Sequence, residues 1–249
     1  MDMPDRSCCP GRAAPRLRPM SRTFHVTAES GERLWGVDPG TLNLELSQMQ
    51  PAAVAAWALF RSTRPMVTTS FGLHSAAMLH LVSRIRTGVP VVWIDTGFNT
   101  ADTYRHAELL ARDFSLDLRI YAPDVTRARL EATLGGVPSP DSADRHAAFS
   151  TEIKLRPFER ALTDLNPDLW LTGIRREETD WRRTQDMVTR SDDGLLRVAP
   201  FFNLSEAELE AYMRRHNLPF GDPLHYDPVK AAPHRECGLH QRDVPVLGQ

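Results

Sequence analysis

A single thiol near the C-terminus lies in the run Glu236-Cys237-Gly238-Leu239-His240, directly after His234 and Arg235. Cysteine attacks as its thiolate, and cationic neighbours favour that form over a free pKa of about 8.5. Cys237 with His240 is therefore a candidate catalytic pair. A thiol on a short tail beside positive charge suits attack on an anion, followed by transfer to a second thiol. The competing reading is a surface cysteine of no consequence, because short motifs recur by accident.

Three further groups fall where an open parallel sheet places its ligands, at the C-terminal ends of strands. Thr69-Ser70-Phe71-Gly72-Leu73-His74-Ser75 combines hydroxyls, a glycine and a helix start, the ingredients of an anion cradle. Thr69, Ser70, Phe71, Gly72 and Ser75 are its candidate binding residues, and a plain tight turn is the alternative. Asp95-Thr96-Gly97 supplies a carboxylate that either binds a ribose hydroxyl or base amine, or caps the following turn. In Gly173-Ile174-Arg175-Arg176-Glu177, two forked guanidinium groups follow a glycine and are candidates for phosphate, unless one pairs with Glu177 or Glu178. Lys154 is a further phosphate candidate. His74, His225 and His234 match no usual metal-ligand spacing, so no metal is expected.

The elements that must carry these groups alternate as in an α/β protein. A helix is expected over Met49 to Phe60. Strands are expected at Met66 to Thr69, Val89 to Ile94, Asp117 to Tyr121 and Trp170 to Thr172, with helices from Leu73 to about Arg86 and from a Thr100 cap to Phe114. Val89 to Ile94 is almost wholly apolar, as a strand covered on both faces should be. Gly135 to Asp144 reads as a loop, and Thr151 to Leu165 as a helix in which Pro157 sits in the first turns or makes a kink. Ser205-Glu206-Ala207-Glu208 is a capping box opening a helix that ends near His216. Beyond Pro219 the proline-rich chain reads as irregular and free to swing. The expected organisation is a disordered extension over 1–22, a nucleotide-binding α/β domain over 23–222 and a mobile tail over 223–249.

The 249 residues are 41% hydrophobic and 25% charged with a formal charge of −2, an ordinary globular composition. There is no broad basic field for nucleic acid, and no apolar run near the ~20 residues that span a bilayer. The N-terminus lacks the apolar core of a secretory signal. Cys8, Cys9 and Cys237 form no disulfide framework, which suits a reducing cytoplasm.

Taken together, these motifs resemble the phosphoadenylyl-sulfate and adenylyl-sulfate reductases of assimilatory sulfate reduction, a branch of the adenine nucleotide alpha hydrolase-like (PP-loop type) fold. The likeness runs from about Leu46 to His240. It rests on the three turns, Thr103-Tyr104, Lys154 with Pro157 and Arg160-Ala161-Leu162, and the terminal Glu-Cys-Gly-Leu-His. The resemblance implies a parallel sheet flanked by helices, with the first turn holding phosphosulfate and the sheet edge holding adenosine. It implies Cys237 as the thiol that takes the sulfonyl group to form S-sulfocysteine, thioredoxin or glutaredoxin as electron donor, and a homodimer. Cluster-bearing relatives have cysteine pairs before the lysine helix and before the final motif. Here the first pair falls on Phe149 and Ser150, and Val229 to Arg235 holds no cysteine, so no [4Fe–4S] cluster is expected. Cluster-free relatives usually take the 3′-phosphorylated nucleotide, which is the expected substrate; the unphosphorylated nucleotide is the alternative. The segment between Pro228 and Cys237 is shorter than is typical of the family. Two rival readings are an ATP-dependent adenylating enzyme of the same fold and a nucleotide-binding protein without chemistry. The first usually has Ser-Gly-Gly-x-Asp-Ser where this chain has Ser70-Phe71-Gly72-Leu73-His74-Ser75.

Overall fold

The computed structural model describes residue 36, residues 38–139, residues 141–230, residue 236 and residues 238–240. The 1–22 extension with Cys8 and Cys9, and also His234, Arg235 and Cys237, lie outside the described residues.

Two helices, α1 (Pro39–Leu46) and α2 (Pro51–Arg61), precede β1 (Pro65–Thr69), α3 (Ser75–Ile85), β2 (Pro90–Ile94), α4 (Ala101–Asp113) and β3 (Asp117–Tyr121). Next come α5 (Arg127–Leu134), α6 (Ala143–Ser150), a π-helical turn (Thr151–Leu155) and α7 (Arg156–Leu165). The chain then forms β4 (Leu169–Leu171), the short α8 (Asp180–Arg183), β5 (Val188–Arg190), β6 (Leu196–Val198) and α9 (Glu206–Arg215). The strands make one sheet of order β3-β2-β1-β4-β6-β5, parallel except for β5. This is the α/β, mostly parallel sheet flanked by helices that the sequence predicts.

Strand side chains alternate between faces, and the sheet sorts its apolar residues accordingly. Val67, Val91, Trp93, Leu169 and Leu171 join one buried cluster with α2, α3 and α9. Met66, Val92, Ile94 and Trp170 point the other way, toward Phe149, Ile153 and Phe158 around the π-turn and α7. Both faces are covered, so the central strands carry apolar residues on each side, with Thr68 and Thr69 at the end of β1.

Local chemistry sets the ends of the elements. Thr100 caps α4 by accepting from Thr103 N, and Ser205 with Glu208 forms the complete capping box of α9. Pro157 lacks the N–H that would continue an i→i−4 ladder, and the turn before it widens, with Arg156 N donating to Thr151 O. Pro157 thus sits in the first turn of α7, the first of its two expected places, and the π-turn before it carries Lys154. Asp168 leads into β4 and accepts from Ser62 Oγ, from Thr63 N at 2.9 Å, from Thr63 Oγ1 at 2.6 Å and from Arg64 N at 3.0 Å. Burial alone would raise this carboxyl, but those donors outweigh it and hold it below the usual range.

Several elements depart from expectation. α1 and α5 form where no element is expected, and α6 begins at Ala143 inside the expected 135–144 loop. β5 and β6 are additional strands. The outer edge of β5 is closed by a side chain: Asn43 of α1 donates to Val188 O at 2.7 Å and accepts from Val188 N at 2.9 Å. The chain beyond Pro219 does not swing free where it is described. Gly221 N donates to Leu73 O, Val229 and Leu239 are buried in the second cluster, and Glu236 is buried. Apolar contacts and ion pairs fix it despite its irregular backbone.

Candidate active site

The strand order reverses direction between β1 and β4, and that switch point opens a crevice at the C-terminal strand ends. A cleft of about 360 Å³ lies there. It gathers the ends of β1, β2 and β4, the π-turn and the segment after α9.

From the first turn, Thr69, Ser70, Gly72 and Ser75 line the cleft. Phe71 does not. Its backbone takes φ +52, and its ring turns into the core to meet Trp93 edge-on at 4.9 Å between centroids. The predicted binding residue is thus a structural pin of the cradle. Thr69 Oγ1 accepts from Phe71 N at 3.1 Å and steadies that unusual backbone. Gly221 backs the same turn so closely that a Cβ on it would lie 2.6 Å from Gly72 O.

The second turn divides. Thr96 lines the cleft, together with Asn99. Asp95 does not line it: one carboxylate oxygen accepts from Gly97 N at 3.0 Å, Asn99 Nδ2 at 2.9 Å and Tyr104 Oη at 2.8 Å. It caps the turn, the plainer of its two readings. Burial, then the hydrogen bond to Asp95, pushes the Tyr104 phenol up to about 12. Gly97 serves the same turn through φ +77 and stays outside the cleft lining.

In the third turn, Thr172, Gly173 and Arg175 reach the cleft. Arg175 is buried and pairs with Glu177 at 2.6 Å and Glu178 at 3.8 Å. Arg176 is exposed and stacks its guanidinium over Phe202 at 5.1 Å. Adjacent residues leave the chain in different directions, so the expected double clamp has a single arm.

Lys154 is buried at the cleft and forms an ion pair with Asp227. Burial by itself would raise the Asp227 carboxyl; the Lys154 charge and hydrogen bond, then Lys230, hold it below its usual range. The pair is therefore ionic. His240 stacks on Trp170 with ring centroids 4.8 Å apart and planes 14° apart. Its carbonyl accepts from Arg197 Nη1 at 2.9 Å. Burial first, then Arg197, Arg182, Lys230 and Lys154, depress its pKa well below that of a free imidazole. The sequence treats His240 as a cation beside the thiol; in the structure its surroundings disfavour the charged ring.

Sequence reasoning passed over Asn99, Arg182, His225, Asp227 and Lys230 as lining residues. The last three belong to the supposed swinging tail, where Gly221 and Val229 were the available signals of packing. For His74, the sequence weighed His225 and His234 as metal partners. The structure instead brings Glu206 and Glu210 to it, with ligand atoms within 4.8 Å of one another. Glu210 already pairs with Arg214 at 2.5 Å. Among the described residues, no helix is long and apolar enough to cross a membrane.

Comparison with known proteins gives a consistent result. The family model described as the phosphoadenosine phosphosulfate reductase domain matches residues 64–227. A phosphoadenosine 5′-phosphosulfate reductase of Synechococcus sp. is 31% identical over 180 residues, covering 72% of this chain and 77% of the relative. One from Thiocapsa roseopersicina is 35% identical, covering 71% of this chain and 74% of its own. One from Xylella fastidiosa strain M12 is 30% identical, covering 82% and 94%. The crystal structure of phosphoadenylyl-sulfate reductase from Candida auris shares the fold, with a TM-score of 0.63 at 23% identity over 73% of this chain and 87% of that one. With the family model spanning well over half its length, and those relatives at 30% identity or more over more than two thirds of it, the chain belongs to the phosphoadenosine phosphosulfate reductase family.

Proposed function

We propose that this protein reduces 3′-phosphoadenylyl sulfate to sulfite and adenosine 3′,5′-bisphosphate, with Cys237 as nucleophile. One observation carries the reading. Residues on both sides of Cys237 in sequence, Glu236 and Gly238 to His240, are placed beside a cleft that also holds an anion-cradle turn, Lys154 and Arg175.

The Cys237 thiolate attacks the sulfate sulfur, the sulfur–oxygen bond to the 5′-phosphate breaks, and adenosine 3′,5′-bisphosphate leaves with the electron pair. The enzyme keeps an S-sulfocysteine. A thiolate of thioredoxin or glutaredoxin then attacks Cys237 Sγ and sulfite departs with the bonding pair; the donor's second thiolate attacks the donor sulfur of the mixed disulfide, which frees the Cys237 thiolate and leaves the donor as its disulfide. Two anions meet in the first step. Lys154, Arg175 and the N–H groups of the Thr69–Ser75 turn screen their repulsion, an effect that is strong in a cleft partly closed to water. His240, with its charged form disfavoured, offers a hydrogen bond rather than a charge.

Thiolate ligands for an iron–sulfur cluster do not fit here. Phe149 fills the core against Phe98, and Ser150 Oγ donates to His146 O at 2.7 Å. The reaction as proposed runs on thiols alone, in the cytoplasm and as a homodimer; light scattering tests the last point, and a monomeric mass rejects it.

The test offers purified protein and reduced thioredoxin each nucleotide separately, with and without the 3′-phosphate. Sulfite is expected from the 3′-phosphorylated form, and sulfite only from the other form reassigns the substrate. Without reductant, the Cys237 peptide should gain about 80 Da. An unmodified peptide rejects the nucleophile. Robust pyrophosphate release from ATP would favour the adenylating alternative.

A further inference from the structure

Glu236 precedes Cys237 directly, and nothing in the reaction above uses it. Its side chain is 2% exposed, and its described polar partners all belong to the start of α8. Thr179 Oγ1 donates to Oε1 at 2.5 Å, Arg182 Nη2 donates to Oε2 at 3.0 Å, and Arg182 Nε lies 2.9 Å from Oε1. Arg182 is itself 5% exposed and pairs with Glu178, whose carboxylate also accepts from Arg175 N at 3.0 Å. The residue before the thiol is thus tied, through four alternating charges, to the cleft residue Arg175.

Burying a carboxylate is costly unless it is paired, and an apolar side chain would attach a tail at least as firmly. One hydrogen bond each from Thr179 and Arg182, on the two oxygens of one carboxylate, adds direction to the attachment. On the other side of Cys237, Gly238 bends the chain at φ +80, Leu239 is buried against the sheet, and the half-buried His240 stacks on Trp170. Fixed points therefore stand one residue before the thiol and two and three residues after it.

We propose that Glu236 is a positioning residue for Cys237: its ion pair with Arg182 and bond from Thr179 fix the approach of the thiol to the bound sulfonyl group. This rests on the reading of Cys237 as the nucleophile. Glu236 itself touches no substrate, since it does not line the cleft.

The test uses the full chain with Cys8→Ser and Cys9→Ser, which leaves Cys237 as its one thiol. Glu236→Gln keeps the shape and removes the charge. It should lower kcat for sulfite release by about 100-fold, the scale of a misplacement near 1 Å, with KM within about threefold of the parent. Glu236→Asp should recover part of that loss. Iodoacetamide should alkylate Cys237 about tenfold faster in Glu236→Gln without nucleotide, as expected of a loosened segment. Thr179→Val, which removes the bond to Glu236 and the cap on Arg182 N but keeps both charges of the ion pair, should shift both readouts in the same direction by less, and it decides the matter if Glu236→Gln fails to fold. Unchanged kcat, a rise confined to KM, or unchanged alkylation overturns the proposal. Sulfite production by Cys237→Ser would overturn the nucleophile instead. The alkylation arm needs no turnover and still reports whether Glu236 holds residue 237.

Discussion

His240 shows how strongly position governs what a side chain contributes. Beside a thiol in the sequence it reads as a cation. Stacked on Trp170, it has its charged form disfavoured by burial first and then by Arg197, Arg182, Lys230 and Lys154. Its folded pKa lies below the unfolded value, so its contribution to stability is present above about pH 6.5 and is lost as pH falls through the folded pKa. His240→Phe keeps a ring on Trp170 and should flatten the acid side of a melting-temperature profile against pH; an unaltered acid side would contradict the assignment. Lys154 works by charge. Lys154→Gln should reduce kcat/KM for sulfite formation by about 100-fold, the size of effect seen when one preorganised charge-stabilising donor is lost. Of the residues singled out by type and spacing, Thr69, Ser70, Gly72, Ser75, Thr96, Lys154, Gly173 and Arg175 line the cleft. Type and spacing did not reveal that Phe71, Asp95, Gly97 and Arg176 face elsewhere. A motif fixes where a turn occurs, while the direction of each side chain depends on backbone angles such as the φ of +52 at Phe71.

At the scale of elements, the segment after α9 matters most to the cradle. Gly221 lies against the Gly72 carbonyl, and the obstacle to a Cβ is backbone, which cannot rotate aside. Gly221→Ala should therefore lower both the melting temperature and nucleotide affinity, measurable by calorimetry of the two processes; loss of neither would show that the turn gives way freely. Asp168 holds the loop between α2 and β1 against the start of β4. Asp168→Ala would strand the N–H groups of Thr63 and Arg64 and should cost about 2–4 kcal/mol in denaturant titration. Its depressed pKa adds stability that is present above the unfolded value and fades as pH drops through the folded one. β1, β2, β3, α3, α4 and α9 were legible because their apolar periods and caps are strong. α5 buries only Leu130, and β5 and β6 have three residues each, too few for any period to show.

At the scale of the whole molecule, the parallel sheet and its switch point follow from the alternation of apolar strands and helices. The location of the cleft follows from strand order, which no local pattern in the chain encodes. The docking of the tail was not legible either, because its partners, Arg182 and Trp170, are more than 50 residues away in sequence. One last consequence concerns the far side of the sheet. An unpaired strand margin invites another chain to add on, and repeated addition makes fibres. At β5 the Asn43 carboxamide already takes up the outward N–H and C=O of Val188. Asn43→Leu should leave the cleft intact yet make the protein gain turbidity on prolonged warming, and a clear solution would refute this. A lone amide group thereby occupies, at one point of this margin, the hydrogen bonds that an added strand would need.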